Sequence, residues 1–96
     1  MRRDEALRII AEHRDGIAEF GVTSLSIFGS VARDEAGPNS DVDVLVEFGV
    51  PVGYFELIRL GNYLEKLLGR RVDLATMGAL RSTMKDQILK EAVRAA

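Results

Sequence analysis

Asp41 and Asp43 stand two positions apart at the head of an apolar run, Val42 to Phe48. On a β-strand that spacing puts both carboxylates on one face, about 6.6 Å apart. Ionised, they repel by roughly 2.5 kcal/mol at an effective dielectric near 20. Water or a cation must relieve that repulsion, and hard oxygen donors select Mg2+ or Mn2+. A third carboxylate, Asp73, lies in the run Arg71 to Ala75, opposite its neighbours Val72 and Leu74. If the two strands are adjacent, all three carboxylates converge on one open sheet face. Such a set can hold two metal ions roughly 4 Å apart and clamp the attacking and leaving oxygens of a phosphoryl transfer.

Each signal is weak alone. An alternating D-x-D is commonly just the polar side of a half-exposed strand. Gly29-Ser30, which follows Leu25 to Phe28, is commonly just a turn. A Gly-Ser turn that opens a helix, however, offers backbone N–H groups and a hydroxyl to an anion. Here it falls ten positions before Ser40-Asp41-Val42-Asp43. A phosphate cradle and a paired-carboxylate metal site thus share one short stretch.

The elements that must position these residues read as follows. Residues 3–20 form an amphipathic helix, with Asp4 as its cap, Leu7, Ile10, Ile17 and Phe20 on one side, and Gly21 as its stop. His13, among Glu12, Arg14 and Asp15, reads as a surface histidine. Thr23 to Phe28 is a buried strand. Val31 to Glu35 makes a turn or two of helix, ended by Gly37-Pro38-Asn39. In the next strand Val42, Val44, Val46 and Phe48 face a core, and the aspartates face away. Tyr54 to Leu68 is a long helix with Tyr54, Leu57, Ile58, Leu64, Leu67 and Leu68 on its apolar side. Arg71 to Ala75 is a third strand. Thr83 and Asp86 have the spacing of a capping box, and Met84, Ile88, Leu89, Ala92 and Val93 mark a last helix. The order predicts an α/β (α+β) fold: a small mixed sheet of about three strands with helices packed on it, one domain over residues 1–96.

Composition narrows the chemistry. The 96 residues are 47% hydrophobic and 29% charged, which suits a folded domain. The chain has no cysteine and one histidine, so thiolate and multi-histidine metal sites are out. A net charge of -2 gives no bulk attraction to nucleic acid, and direct nucleic-acid binding is not expected. No run is long and apolar enough to span a membrane. The first ten residues lack a signal-type apolar region, so a cytoplasmic location is expected.

G-S-x-A-R at Gly29–Arg33, S-D-x-D at Ser40–Asp43 and V-D-L at Val72–Leu74 together resemble the nucleotidyltransferase superfamily of DNA polymerase beta. The resemblance covers essentially the whole chain and is closest to the minimal nucleotidyltransferases (MNT), the antitoxin partners of HEPN-domain toxins. It implies the nucleotidyltransferase fold and a two-metal transfer of AMP from ATP to a hydroxyl of a partner protein, with pyrophosphate released. It implies that Asp41, Asp43 and Asp73 are catalytic and hold two Mg2+ ions, with Asp73 also helping to activate the acceptor. Gly29 and Ser30 would bind the nucleotide phosphates, joined by Arg33 and Ser40. One departure is visible: Asp34 stands where this branch commonly has glycine, and a carboxylate there would disfavour a nearby triphosphate. Two other readings go with the resemblance. One is an antitoxin that acts by occlusion. The other is the core of an antibiotic-modifying nucleotidyltransferase, which the short chain disfavours. The last helix is expected to cover the sheet, which leaves the active face an open shelf.

Overall fold

The computed structural model describes residues 1–80 and 82–96. Its centre is β2, Val42–Phe48, whose valines alternate with Asp43, Leu45 and Glu47 as the sequence predicts. β2 pairs antiparallel with β1, Val22–Phe28, and parallel with β3, Val72–Thr76. A two-residue strand that the sequence does not signal, β4 (Val93–Arg94), pairs with β1. Among the described residues the sheet therefore has four strands in the order β3-β2-β1-β4, rather than about three. Val93, expected to end the last helix, pairs with Ile27 instead.

The valine face carries the core. Val42, Val44 and Val46 pack in one cluster with Leu25 and Ile27 of β1. Register puts Leu25 beside Val46 and Ile27 beside Val44, so the two strands present one continuous apolar surface. Helix α4, Tyr54–Leu68, lies on it through Leu60, Leu64 and Leu68. These recur every four residues and form one stripe. Burying each is worth roughly 1.5–3 kcal/mol. The stripe is rotated from the expected face: Tyr54 is 74% exposed and Ile58 is also exposed, while Leu60 carries the packing. Gly69, in the left-handed conformation, ends the helix as expected.

Residues 3–20 form two helices rather than one: α1, Arg3–Glu12, and α2, Arg14–Ala18. The break is at His13. Its ring Nδ1 takes the carbonyl of Ile9, at 2.8 Å, so its backbone N–H bonds Ile10 instead and the helix tightens and turns. α1 and α2 reach the core through Ala6, Ile10 and Ile17. Gly16 allows a close approach: a Cβ there would strike the Tyr63 hydroxyl, and the Tyr63 ring packs at 5.3 Å from that of Phe20.

α5 (Ser82–Glu91) comes after a single 3-10 turn at Met77–Ala79. Thr83 sits inside α5 rather than capping it. Of its expected stripe only Ile88 is buried; Met84 and Leu89 are exposed. Among the described residues no helix is long and apolar enough to cross a membrane.

Candidate active site

Parallel register places Asp43 directly beside Asp73. Antiparallel register places Asp43 beside Phe28, the last residue of β1. The chain then turns at Gly29 into α3, Gly29–Ala32, one helical turn anchored by buried Val31 and Ala32. The Gly29 turn and two of the three carboxylates are therefore neighbours across three strand ends. Asp41 is exposed and precedes the first residue of β2. The strand entry is held by the Val42 N–H, which donates to the Arg71 carbonyl at 2.8 Å.

Gly29 is constrained twice. Its φ of +71° favours glycine, and a Cβ there would run into the Asp43 carboxylate. Only a residue without a side chain lets the turn close over the carboxylate. Asp43 is partly buried as a result. That burial is the main force pushing its carboxyl above the ordinary carboxylate value. The charges of Asp73, Asp41 and Glu91 push the same way, and Arg33 offsets part of the effect.

Glu91, the last residue of α5, was not legible as a site residue. Its Oε1 accepts the Gly29 N–H at 2.9 Å, and its Oε2 accepts Arg33 Nη1 at 2.9 Å. Arg33 also bonds Glu35 through Nε at 3.2 Å. One sequence signal existed. A carboxylate in the last turn opposes the helix dipole and calls for a cationic partner.

Asp34 has φ +60°, which explains why glycine suits this position. Its carboxylate Oδ1 accepts the Arg3 N–H at 3.0 Å, at the first residue of α1. It thereby supplies a cap that Arg2 and Asp4 do not. The Ser40 hydroxyl accepts the Gly37 N–H at 2.9 Å and ties the Gly37–Ser40 turn. A depression of about 390 Å3 adjoins the site, lined by Pro38, Asn39, Ser40, Asp41, Gly69, Arg70 and Arg71. It takes in Asp41 but neither Asp43 nor Asp73.

Among the described residues, no three His, Cys, Asp or Glu side chains are gathered tightly enough to enclose a metal ion as they stand. Charge repulsion reaches farther than coordination distance, so this is consistent with the mutual influence of Asp43, Asp73 and Asp41. The donor set is all hard oxygen, carries surplus negative charge and is open on one side. It fits a divalent cation that also takes ligands from a substrate.

The nucleotidyltransferase domain family matches residues 10–95. The protein adenylyltransferase MntA of Thermococcus cleftensis is 41% identical over 91 residues, covering 94% of this chain and 92% of its own. A solved structure provisionally described as a minimal nucleotidyltransferase is similar at a TM-score of 0.84 and 34% identity, covering 97% of this chain and 95% of that one. Two more distant structures share the fold. One is a toxin–antitoxin with AMP-PNP (TM-score 0.73, 19% identity, covering all of this chain and 73% of that one). The other is a tri-AMPylated Shewanella oneidensis HEPN toxin in complex with MNT antitoxin (0.68, 14%, 94% and 71%). The match along nearly the whole chain shows that this chain belongs to the nucleotidyltransferase domain family.

Proposed function

We propose that this chain transfers AMP from ATP to a hydroxyl of a partner protein, and that it is the antitoxin of a HEPN/MNT pair in the cytoplasm. The 96 residues act as one domain in this reading. The observation that carries it is the Asp43–Asp73 pair with the Gly29 turn closed against Asp43. Relatives of similar length named as protein adenylyltransferases support the reaction. The neighbouring complexes, one with an ATP analogue and one with an AMPylated toxin, support the nucleotide and the partner.

In this reading each residue of the site has a role. The Gly29 N–H and the Ser30 hydroxyl bind the nucleotide phosphates, and Arg33 adds a guanidinium at the same turn. Ser40 holds the loop that leads into Asp41 and lies beside the Arg70–Arg71 depression. Asp41, Asp43 and Asp73 would hold two Mg2+ ions. Magnesium, when bound, neutralises the phosphate oxygens and favours attack at phosphorus. The acceptor oxygen forms a bond to the α-phosphorus, the α–β bridge breaks, and pyrophosphate leaves. Asp73 receives the acceptor's proton. Asp34 lies outside this set, because its carboxylate is spent on α1.

The acceptor comes on a macromolecule. Asp43 and Asp73 lie outside the adjoining depression, and a small ligand normally needs most of its surface enclosed. Docking of a partner supplies the orientation instead. The test is intact-mass analysis of a HEPN partner after incubation with this chain, ATP and Mg2+. Added nucleotide mass on the partner, absent with Asp43→Asn, is the expected result. Toxin neutralisation without added mass would favour occlusion. Rapid modification of an aminoglycoside by the isolated chain would overturn the reading.

A further inference from the structure

Glu91 uses the same donors that a phosphate would need. A backbone N–H makes one strong hydrogen bond, and that of Gly29 is already given to Glu91 Oε1. The Arg33 guanidinium, a cation at the turn, is given to Oε2. The two carboxylate oxygens thus span the turn as two oxygens of a phosphate would. Like charge and the helix dipole act against Glu91 here, and the Arg33 guanidinium acts for it. Glu91 lies near enough to Asp43 to raise its carboxyl, and it ends α5, where the helix dipole disfavours an anion. Among the described residues, these two donors are the hydrogen-bond partners of its carboxylate.

We propose that Glu91 is a built-in occupant of the phosphate turn, which nucleotide must displace before it can bind. The proposal rests on the nucleotide-site reading above. The side chain is 20% exposed, so rotation returns its carboxylate to water without unfolding anything. Arg33 keeps its bond to Glu35 when Glu91 leaves and remains at the turn for the incoming phosphate. The main chain beyond Glu91 is fixed, since Val93 and Arg94 pair with β1. The gate is therefore a side-chain movement and not a movement of the helix. Its role is to keep the turn satisfied when no nucleotide is present, at a cost in affinity set by how often the turn is occupied. Occupancy of about nine-tenths lowers apparent affinity about tenfold.

The opposite reading makes Glu91 a strut that positions Gly29 and Arg33 for nucleotide. The two differ in sign. Calorimetric titration of Mg2+–ATP into the full chain should show Glu91→Gln and Glu91→Ala binding several-fold to about tenfold tighter than wild type. The free Gly29 amide resonance should move in both variants, while the ATP-bound resonance should match wild type. Glu91→Gln keeps the shape of the side chain and decides the matter if the alanine variant is poorly folded. Equal or weaker binding by a folded Glu91→Gln overturns the gate and leaves the nucleotide site standing. No binding by wild type or either variant overturns both.

Discussion

The two faces of β2 follow opposite rules. On one, Val42, Val44 and Val46 are fully buried against α4, α1 and β1. On the other, Asp43 lies beside Asp73 and under Gly29, with Leu45 alone sealed in from the same side. The first face gains stability from every contact. The second holds the partly buried Asp43 among like charges, which costs stability until something neutralises them. One strand can do both because its side chains alternate. The core face provides the rigidity that the carboxylate face spends on holding an unfavourable arrangement in position.

Mutations can break the comparison at either face. The largest effect is expected from Asp43→Asn, which should cut AMP transfer by about a hundredfold or more while the chain stays folded. Labelling of the partner from radioactive ATP, alongside a circular dichroism melt, checks both halves. Leu64→Ala should do the reverse. It opens a cavity under the valine face at a cost of roughly 2–5 kcal/mol, a large share of what a small domain possesses, and urea unfolding will measure it. Gly29→Ala should damage both faces' products at once: a Cβ at positive φ costs about 1–2 kcal/mol and displaces the Asp43 carboxylate. Its melting temperature and its transfer rate should both fall. The smallest effect is expected from Asp34→Gly. Loss of the cap on Arg3 costs about 1 kcal/mol, and relief of the positive φ returns a similar amount. Stability should change little, and ATP affinity should stay within about twofold.

The sheet's central strand, α4 and the carboxylate spacing were legible because each is a local pattern. Val42, Val44 and Val46 alternate, and the Tyr54–Leu68 helix is bounded by glycines. What escaped was set by distant partners. Which side of α4 faces inward depends on where β1 and β2 lie, and so Leu60 is buried while Tyr54 and Phe55, at 74% and 77% exposure, are not. α5 has a stripe to read but little left to cover, and only Ile88 is used. Strand β4 is too short to carry a pattern. Asp34 caps α1 across 31 positions and Glu91 reaches Gly29 across 62, beyond anything spacing can reveal. Of the site, Asp43, Asp73 and Gly29 come together as read; Ser40 is tied into its own turn, and Glu91 is an addition.

The carboxylate face is held under charge, and magnesium with ATP should relieve it. Thermal melts of wild type and Asp43→Asn, in chelator and then in Mg2+–ATP, test it most directly. Asp43 takes up its proton more readily in the folded chain than in the unfolded one, so its ionisation costs stability at neutral pH. In chelator at neutral pH, Asp43→Asn should therefore melt above wild type. That advantage should shrink as pH falls through the raised Asp43 value and be gone below the ordinary carboxylate value. At one hundred times its Kd, Mg2+–ATP should add about 2.7 kcal/mol to wild type, on the order of ten degrees, and little to Asp43→Asn. A wild-type melt that Mg2+–ATP leaves unmoved, or an Asp43→Asn chain that melts below wild type in chelator, would contradict the account.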